Sequence, residues 1–322
     1  MIVAHDGSGD FETIQAAIDS IPKENTSPIT IHIKPGFYKE KLHLEVPFIT
    51  LKGEDPTSTI ITYNDYAEKY LPNGEQYGTF RSYTAFIGAH NSTFENLTFE
   101  NSSGFGSVVG QALAVYADAD RIFFKNCRLL GHQDTLFTGP LPPSPIKPGS
   151  FKGPKENDER INGRQYYENC YIEGEVDFIF GSATAFFYKC EIFSHNRNED
   201  INGYVTAPST PEGQKYGYVF EKCRLKSNCA PQTVYLGRPW RNFAKAVFIN
   251  CDLAAHIKTE GWHNWDKEEA NTKSFFAEYH NTGEGSDLSE RAGFSHLLTD
   301  KQANEYTREA VLSGDDTWTP WL

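Results

Sequence analysis

Phe124-Lys125-Asn126-Cys127 recurs down this chain as Tyr167-Glu168-Asn169-Cys170, Tyr188-Lys189-Cys190, Phe220-Glu221-Lys222-Cys223 and Phe248-Ile249-Asn250-Cys251. An earlier copy, Phe94-Glu95-Asn96-Leu97-Thr98-Phe99, has Leu where the others have Cys. Apolar and polar residues alternate around each step, as a half-buried strand requires. The tightest spacing, Cys170 to Cys190, is 20 residues. A unit that short cannot bury its own apolar face, so successive copies must stack, and one turn of a parallel β-helix per copy does this. The larger gaps then hold loops. The expected fold is all-β, a single-stranded parallel β-helix forming one domain over residues 1–322.

In that frame the cysteines are small buried hydrophobes. No C-x-x-C spacing and no His cluster accompanies them, so no metal is expected. Cys170 and Cys190 are the pair that could form a disulfide, and Cys229, outside the register, reads as a loop thiol. The ends read as short capping elements. Asp10 precedes a helical pattern with apolar positions 11, 14, 17, 18 and 21, which Pro22 stops, giving an N-terminal cap over about 10–22. A second helix is expected over Asp300–Leu312, within a C-terminal helix and tail of about 299–322. Between Thr138 and Arg164, six Pro and four Gly interrupt the register, so about 138–164 is expected to be an inserted loop.

Composition narrows the chemistry. The 322 residues are 39% hydrophobic with 23 Phe and 17 Tyr, enough for a large core. A net charge of −13 argues against nucleic acid, which needs clustered Lys and Arg, and disfavours steering of any polyanion. A saccharide whose acids are capped would approach without that penalty. No apolar run is long enough for a membrane span. Met1-Ile2-Val3-Ala4-His5-Asp6-Gly7 lacks the basic start and apolar stretch of a signal peptide, which leaves the compartment open between cytoplasmic and secreted.

The repeat also aligns two acids. Asp134 follows Cys127 by seven residues, and Asp177 follows Cys170 by seven. On stacked coils they become neighbours across one strand spacing of about 4.7–4.9 Å. Two carboxyls that close cannot both ionise freely, so one tends to keep its proton. Three further segments offer polar groups that a coil does not need for folding: Gln111-Ala112-Leu113, Gly131-His132-Gln133-Asp134, and Leu236-Gly237-Arg238-Pro239-Trp240. A guanidinium can hold a carboxylate ionised and oriented through paired hydrogen bonds. Each residue also has a plain structural reading: Asp134 as a turn residue, Asp177–Arg238 as a structural pair, Gln111 as one rung of an amide ladder, Trp240 as core. His132 reads as a neighbour of the site without a proton role. Only the shared offset of the acids, with amides on both coils, joins these residues into one site.

These segments resemble pectin methylesterases (pectinesterases), of the aspartyl carbohydrate esterase family. The likeness extends from Val3-Ala4-His5-Asp6-Gly7-Ser8-Gly9-Asp10-Phe11 through Gly36-Phe37-Tyr38-Lys39-Glu40 to Gly261-Trp262-His263-Asn264-Trp265 and Phe276-Ala277-Glu278-Tyr279. It implies a right-handed parallel β-helix and hydrolysis of galacturonate methyl esters, in pectin or methylated oligogalacturonides, to carboxylate and methanol. By this resemblance Asp177 is the nucleophile, Asp134 the general acid/base, Gln111 and Gln133 the oxyanion donors, and Arg238 the group orienting Asp177. Phe137, Phe180, Trp240 and Trp262 match aromatic positions lining the sugar cleft. No metal or other cofactor is implied, and a monomer is expected. Members of the family commonly act outside the cell. Two departures stand out: the longer loop at 138–164, and Thr206-Ala207-Pro208 where many members carry Thr-Ala-Gln. A lyase or glycosidase on the same polymer, or a noncatalytic saccharide-binding β-helix, are the competing readings.

Overall fold

The repeated step closes each coil because its residue before Cys, or before Leu97, adopts a left-handed backbone. Asn96, Asn126, Asn169, Lys189, Lys222 and Asn250 all have φ between 52° and 55°. Asn tolerates this region better than most residues, which accounts for its recurrence there. The strand before the turn lies in one sheet and the strand after it in the next. The computed structural model describes all 322 residues. They wind into three sheets of eleven, seven and eight strands, and paired strands run parallel. No helix is long and apolar enough to cross a membrane.

Register follows the repeat. Phe124 pairs with Tyr167, Tyr167 with Phe187, Phe187 with Phe220, and Phe220 with Phe248. The third copy therefore aligns through Phe187, one residue earlier than its Tyr188-Lys189-Cys190 reading suggests. Inside the coil these rings form a stack, with centroids 5.1, 4.6, 4.4 and 4.4 Å apart and planes within 10° of parallel. Offset stacking of this kind adds to the burial of each ring. We predict that Phe187→Ala destabilises the fold by about 3–5 kcal/mol, seen as a lower urea midpoint. A shift worth less than about 1 kcal/mol would show that neighbouring coils relax into the gap.

Beside this stack runs a column of thiols. Each Sγ donates to the carbonyl of an aromatic residue one coil back: Cys127 to Phe94 at 3.3 Å, Cys170 to Phe124 at 3.5 Å, Cys190 to Tyr167 at 3.5 Å, Cys223 to Phe187 at 3.4 Å and Cys251 to Phe220 at 3.4 Å. All six cysteines are free, including Cys170 and Cys190. A small apolar side chain with a weak S–H donor fits this position. Cys229 is half-buried and donates to Ser194 O at 3.5 Å.

The N-terminal helix is shorter than expected, Ile14–Asp19, with Ile14, Ala17 and Ile18 buried. Thr13 is its N-cap, accepting from Ala16 N, while Asp10 accepts from Ile2 N at 2.8 Å and ties down the first strand. Glu40 accepts from both Ile14 N and Gln15 N, adding negative charge where the first turn leaves its N–H groups free. The C-terminal segment also differs from one continuous helix. Asp300–Ala303 and Arg308–Leu312 are separate short helices, because Thr307 is extended and caps the second through its hydroxyl. That second helix lies along the outer face of the eleven-stranded sheet. Val311 and Leu312 pack there with Tyr166, Phe186, Val219 and Val247.

The seven-stranded sheet positions the residues expected to form the site. Its strands include Ala85–Ile87, Val115–Ala117, Leu136–Thr138, Val176–Gly181, Gly203–Pro208 and Val234–Gly237. After Leu136–Thr138 the chain leaves the coil and re-enters at strand Arg164–Glu168.

Candidate active site

Asp134 and Asp177 stand at the same point of adjacent coils. Arg128 pairs with Tyr171 and Leu136 with Ile179, so one offset holds from the cysteines to the acids, and Asp134 N donates to Val176 O at 3.1 Å. Both aspartates have left-handed backbones, φ 64° and 52°, and both are 8% exposed. On its other side Asp177 sits in a bulge: Val176 pairs with Tyr204 and Ile179 with Thr206, so one extra residue is accommodated there. Bulges re-aim side chains, and here the re-aimed side chain is a carboxylate.

Arg238 closes on Asp177 with a two-bond fork, Nε to Oδ1 at 2.8 Å and Nη2 to Oδ2 at 2.7 Å. The guanidinium lies between two rings, with its carbon 3.7 Å from the centroid of Tyr204 and 3.7 Å from that of Trp265. Such stacking fixes the plane of the fork and shields it from water. Lys267 lies 4.4 Å over the same Trp265 ring and donates to Pro239 O at 2.6 Å. Burial, with the nearby Arg241 and Arg238 charges, pushes its pKa down to about 8.

The acids are not equivalent. Burial raises the pKa of Asp134 well above the carboxylate range and the negative charge of Asp177 raises it further, with only weak opposition from Arg238. Burial also raises Asp177, but the Arg238 fork works directly against that rise. A shared proton therefore resides on Asp134 while Asp177 stays charged.

Gln111 and Gln133 flank the acids on successive coils. Their backbone carbonyls accept from Ala67 N at 2.8 Å and Ala112 N at 3.1 Å, and both side chains are partly exposed. Behind Gln133 is an arrangement that sequence reading missed. Glu175, 1% exposed, contacts His132 Nδ1 at 3.1 Å and accepts from Gly106 N at 3.0 Å. A Cβ at Gly106 would fall 2.6 Å from Gln133 Cβ, so only glycine lets this backbone pack against the amide. His132 thus supports the Gln133 wall, consistent with its reading as a neighbour of the site. The signal was available as a second acid two residues before Asp177.

The aromatic expectations need correction. Trp262 is not in the cleft. It is 2% exposed inside the coil, stacked on Phe276 at 4.5 Å, and donates to Glu278 Oε1 at 3.2 Å. Trp265, three residues on, is the tryptophan that reaches the site. Phe137, at 0% exposed, and Phe180, at 4%, form the floor of an aromatic cluster with Phe80, Phe151 and Trp240 above or beside them. Of the four aromatics expected to line the cleft, only Trp240 keeps partial exposure. Pro208 ends its strand, and its carbonyl accepts from Trp240 N at 3.0 Å.

A family model described as Pectinesterase matches residues 1–140 and 159–315. This chain belongs to the pectinesterase family. Pectinesterase 31 of Arabidopsis thaliana is 36% identical over 327 residues, covering 99% of this chain and 94% of that one. A pectinesterase of Petunia integrifolia is 32% identical, covering 98% and 80%. Among solved structures, a pectin methylesterase in complex with a hexasaccharide superposes with a TM-score of 0.82 at 30% identity, over 100% of this chain and 98% of that one. The pectin methylesterase from carrot gives 0.82 at 29% identity, over 100% and 94%. The parallel β-helix is therefore the pectinesterase fold. Residues 141–158, within the inserted loop, are the internal stretch that the pectinesterase model passes over.

Proposed function

We propose that this site hydrolyses the methyl esters of galacturonate, in pectin or its oligosaccharides, through an acyl-enzyme on Asp177. Ionised Asp177 attacks the ester carbonyl carbon, and the carbonyl oxygen takes up the negative charge. The amides of Gln111 and Gln133 donate to that oxygen, where one well-aimed donor lowers the barrier by about 3–4 kcal/mol. As the C–OCH3 bond breaks, Asp134 gives its proton to the departing oxygen and methanol leaves. Asp177 is then joined to the galacturonate carbonyl as an anhydride. Water attacks it, Asp134 takes a proton from that water, and the C–O bond to Asp177 breaks. Free galacturonate departs and Asp177 is regenerated.

The observation that carries this reading is the asymmetry of the acid pair. Two carboxyls share one register position, yet only Asp177 is gripped by a guanidinium. A noncatalytic binding surface has no use for that difference in protonation. A glycosidase could use two acids, but the flanking amides suit an oxyanion, not an oxocarbenium ion. The test is methylated pectin and short methylated oligogalacturonides incubated side by side. The expected result is methanol release without chain shortening; new reducing ends or unsaturated sugars would reject acyl transfer in favour of glycosidase or lyase chemistry.

A further inference from the structure

Gln111 and Gln133 both border a segment that buries little of its own side-chain surface. Residues 102–110 lead from the strand Thr98–Asn101 to Gln111 and contain one helical turn, Gly106–Val109. Phe105 is 53% exposed and Val108 74%, while Val109 is buried. Apolar burial is what usually fixes such a turn, and here most of it is missing.

A buried carboxylate holds the segment instead. Glu175 Oε2 accepts from Gly106 N, where the turn begins, and Glu175 Oε1 lies 3.1 Å from His132 Nδ1. The His132 ring packs in turn on Phe105, with centroids 4.6 Å apart. Glu175 thus grips two successive residues of the segment, Gly106 directly and Phe105 through His132. Burial opposes its ionisation, but the bonds from His132 and Gly106 N hold its carboxyl below the ordinary range. Both arms of this clamp bear on an amide. His132 precedes Gln133 in the chain, and a Cβ at Gly106 would fall 2.8 Å from Gln133 Oε1. At the far end of the turn, Gly110 N donates to Gly106 O at 2.9 Å, and Gly110, with φ 74°, hands the chain on to Gln111.

We propose that Glu175 is a positioning residue for ester hydrolysis, setting the Gln133 amide through His132 and Gly106, and the Gln111 amide through the turn Gly106–Val109. The inference rests on the esterase reading. Being 1% exposed, Glu175 acts only through the two amides. Its leverage comes from the steepness of donor geometry, since a displacement of about 1 Å at a reacting centre can cost about 10²-fold in rate.

The test compares Glu175→Ala, which removes both contacts, with Glu175→Gln, whose amide oxygen can still accept from Gly106 N. Glu175→Ala is expected to lower kcat for methanol release by about 30- to 100-fold with KM within about threefold, and Glu175→Gln to lose less than about tenfold. In a Gln133→Ala background, Glu175→Ala should cost at least about threefold less than in the unaltered chain, because one group it positions is gone. A second readout needs no activity. The side-chain amide NMR signals of Gln111 and Gln133, identified by their loss in Gln111→Ala and Gln133→Ala, should move or broaden in Glu175→Ala. The signal of Gln165, whose amide donates to Ala117 O at 2.9 Å, should stay in place. Both readouts apply equally to Glu175→Gln, the milder change, where the alanine variant does not fold. Unmoved Gln111 and Gln133 signals would overturn the proposal, as would equal costs with and without Gln133. A chain that releases no methanol, but whose two amide signals depend on Glu175, would remove the esterase reading and leave the clamp standing.

Discussion

Replacing Asp177 with Asn is expected to reduce methanol release by on the order of 10⁴–10⁶-fold, the loss typical of removing a nucleophile that acts as one unit with its partners. Asn is the informative substitution because Asp177 has φ 52°. Asn tolerates that backbone, whereas Ala there would add a left-handed penalty of about 1–2 kcal/mol and confuse inactivity with misfolding. The amide keeps one acceptor for the Arg238 fork and turns the other into a donor facing a donor. A stability cost of about 1–3 kcal/mol is therefore expected beside the kinetic loss. Thermal unfolding and oligogalacturonide binding should show a folded, binding-competent protein. A turnover rate within tenfold of the unaltered chain would eliminate Asp177 as the attacking group.

Asp134→Asn should slow turnover by about 10²–10⁴-fold, the usual contribution of a positioned proton donor, with a much smaller effect on binding. Its pH dependence is the sharper test. Burial first, and then the charge of Asp177, hold Asp134 protonated well beyond the ordinary carboxylate range. Activity of the unaltered chain should fall on the alkaline side as that proton is lost, and the variant should lack this limb. Stability follows the same sign. The native chain binds the Asp134 proton more tightly than the unfolded chain, whose carboxyl titrates near about 3.9. The resulting stabilisation is fully present below that value and disappears as pH rises through the raised one. Asn carries no such proton, so the stability of the unaltered chain relative to the variant should decline with rising pH. Superimposable pH–rate and pH–stability profiles would contradict the acid/base role.

How much of this was legible beforehand depended on whether a residue obeys the coil period. Phe124, Tyr167, Phe220 and Phe248 repeat because each must cover the ring below it, so spacing alone yields the register and, with it, the alignment of Asp134 with Asp177. Arg238, Gln111 and Gln133 stood out as polar groups a coil does not need, but their roles came only through resemblance, since nothing in a period says which distant polar group turns toward the acids. The tryptophans show where pattern fails. Trp262 and Trp265 lie in one motif, but Trp265 has φ 56°, a reversal of direction that alternation does not reveal. It puts the second indole on Arg238 and leaves the first inside. Phe137 and Phe180 do stand on the sheet of the site, yet Phe80 and Phe151 cover them from segments with no repeat at all. Asp10 was the cap expected by type, but the helix starts at Thr13, whose hydroxyl reaches the helix's own first turn.

The pairing of Leu136 with Ile179 holds although residues 139–163 leave the coil between them. A cassette can thus be spliced into the rim without dislodging Asp134 from Asp177. The outline of the rim can be regrafted there while the two carboxyls stay seated on the same rungs.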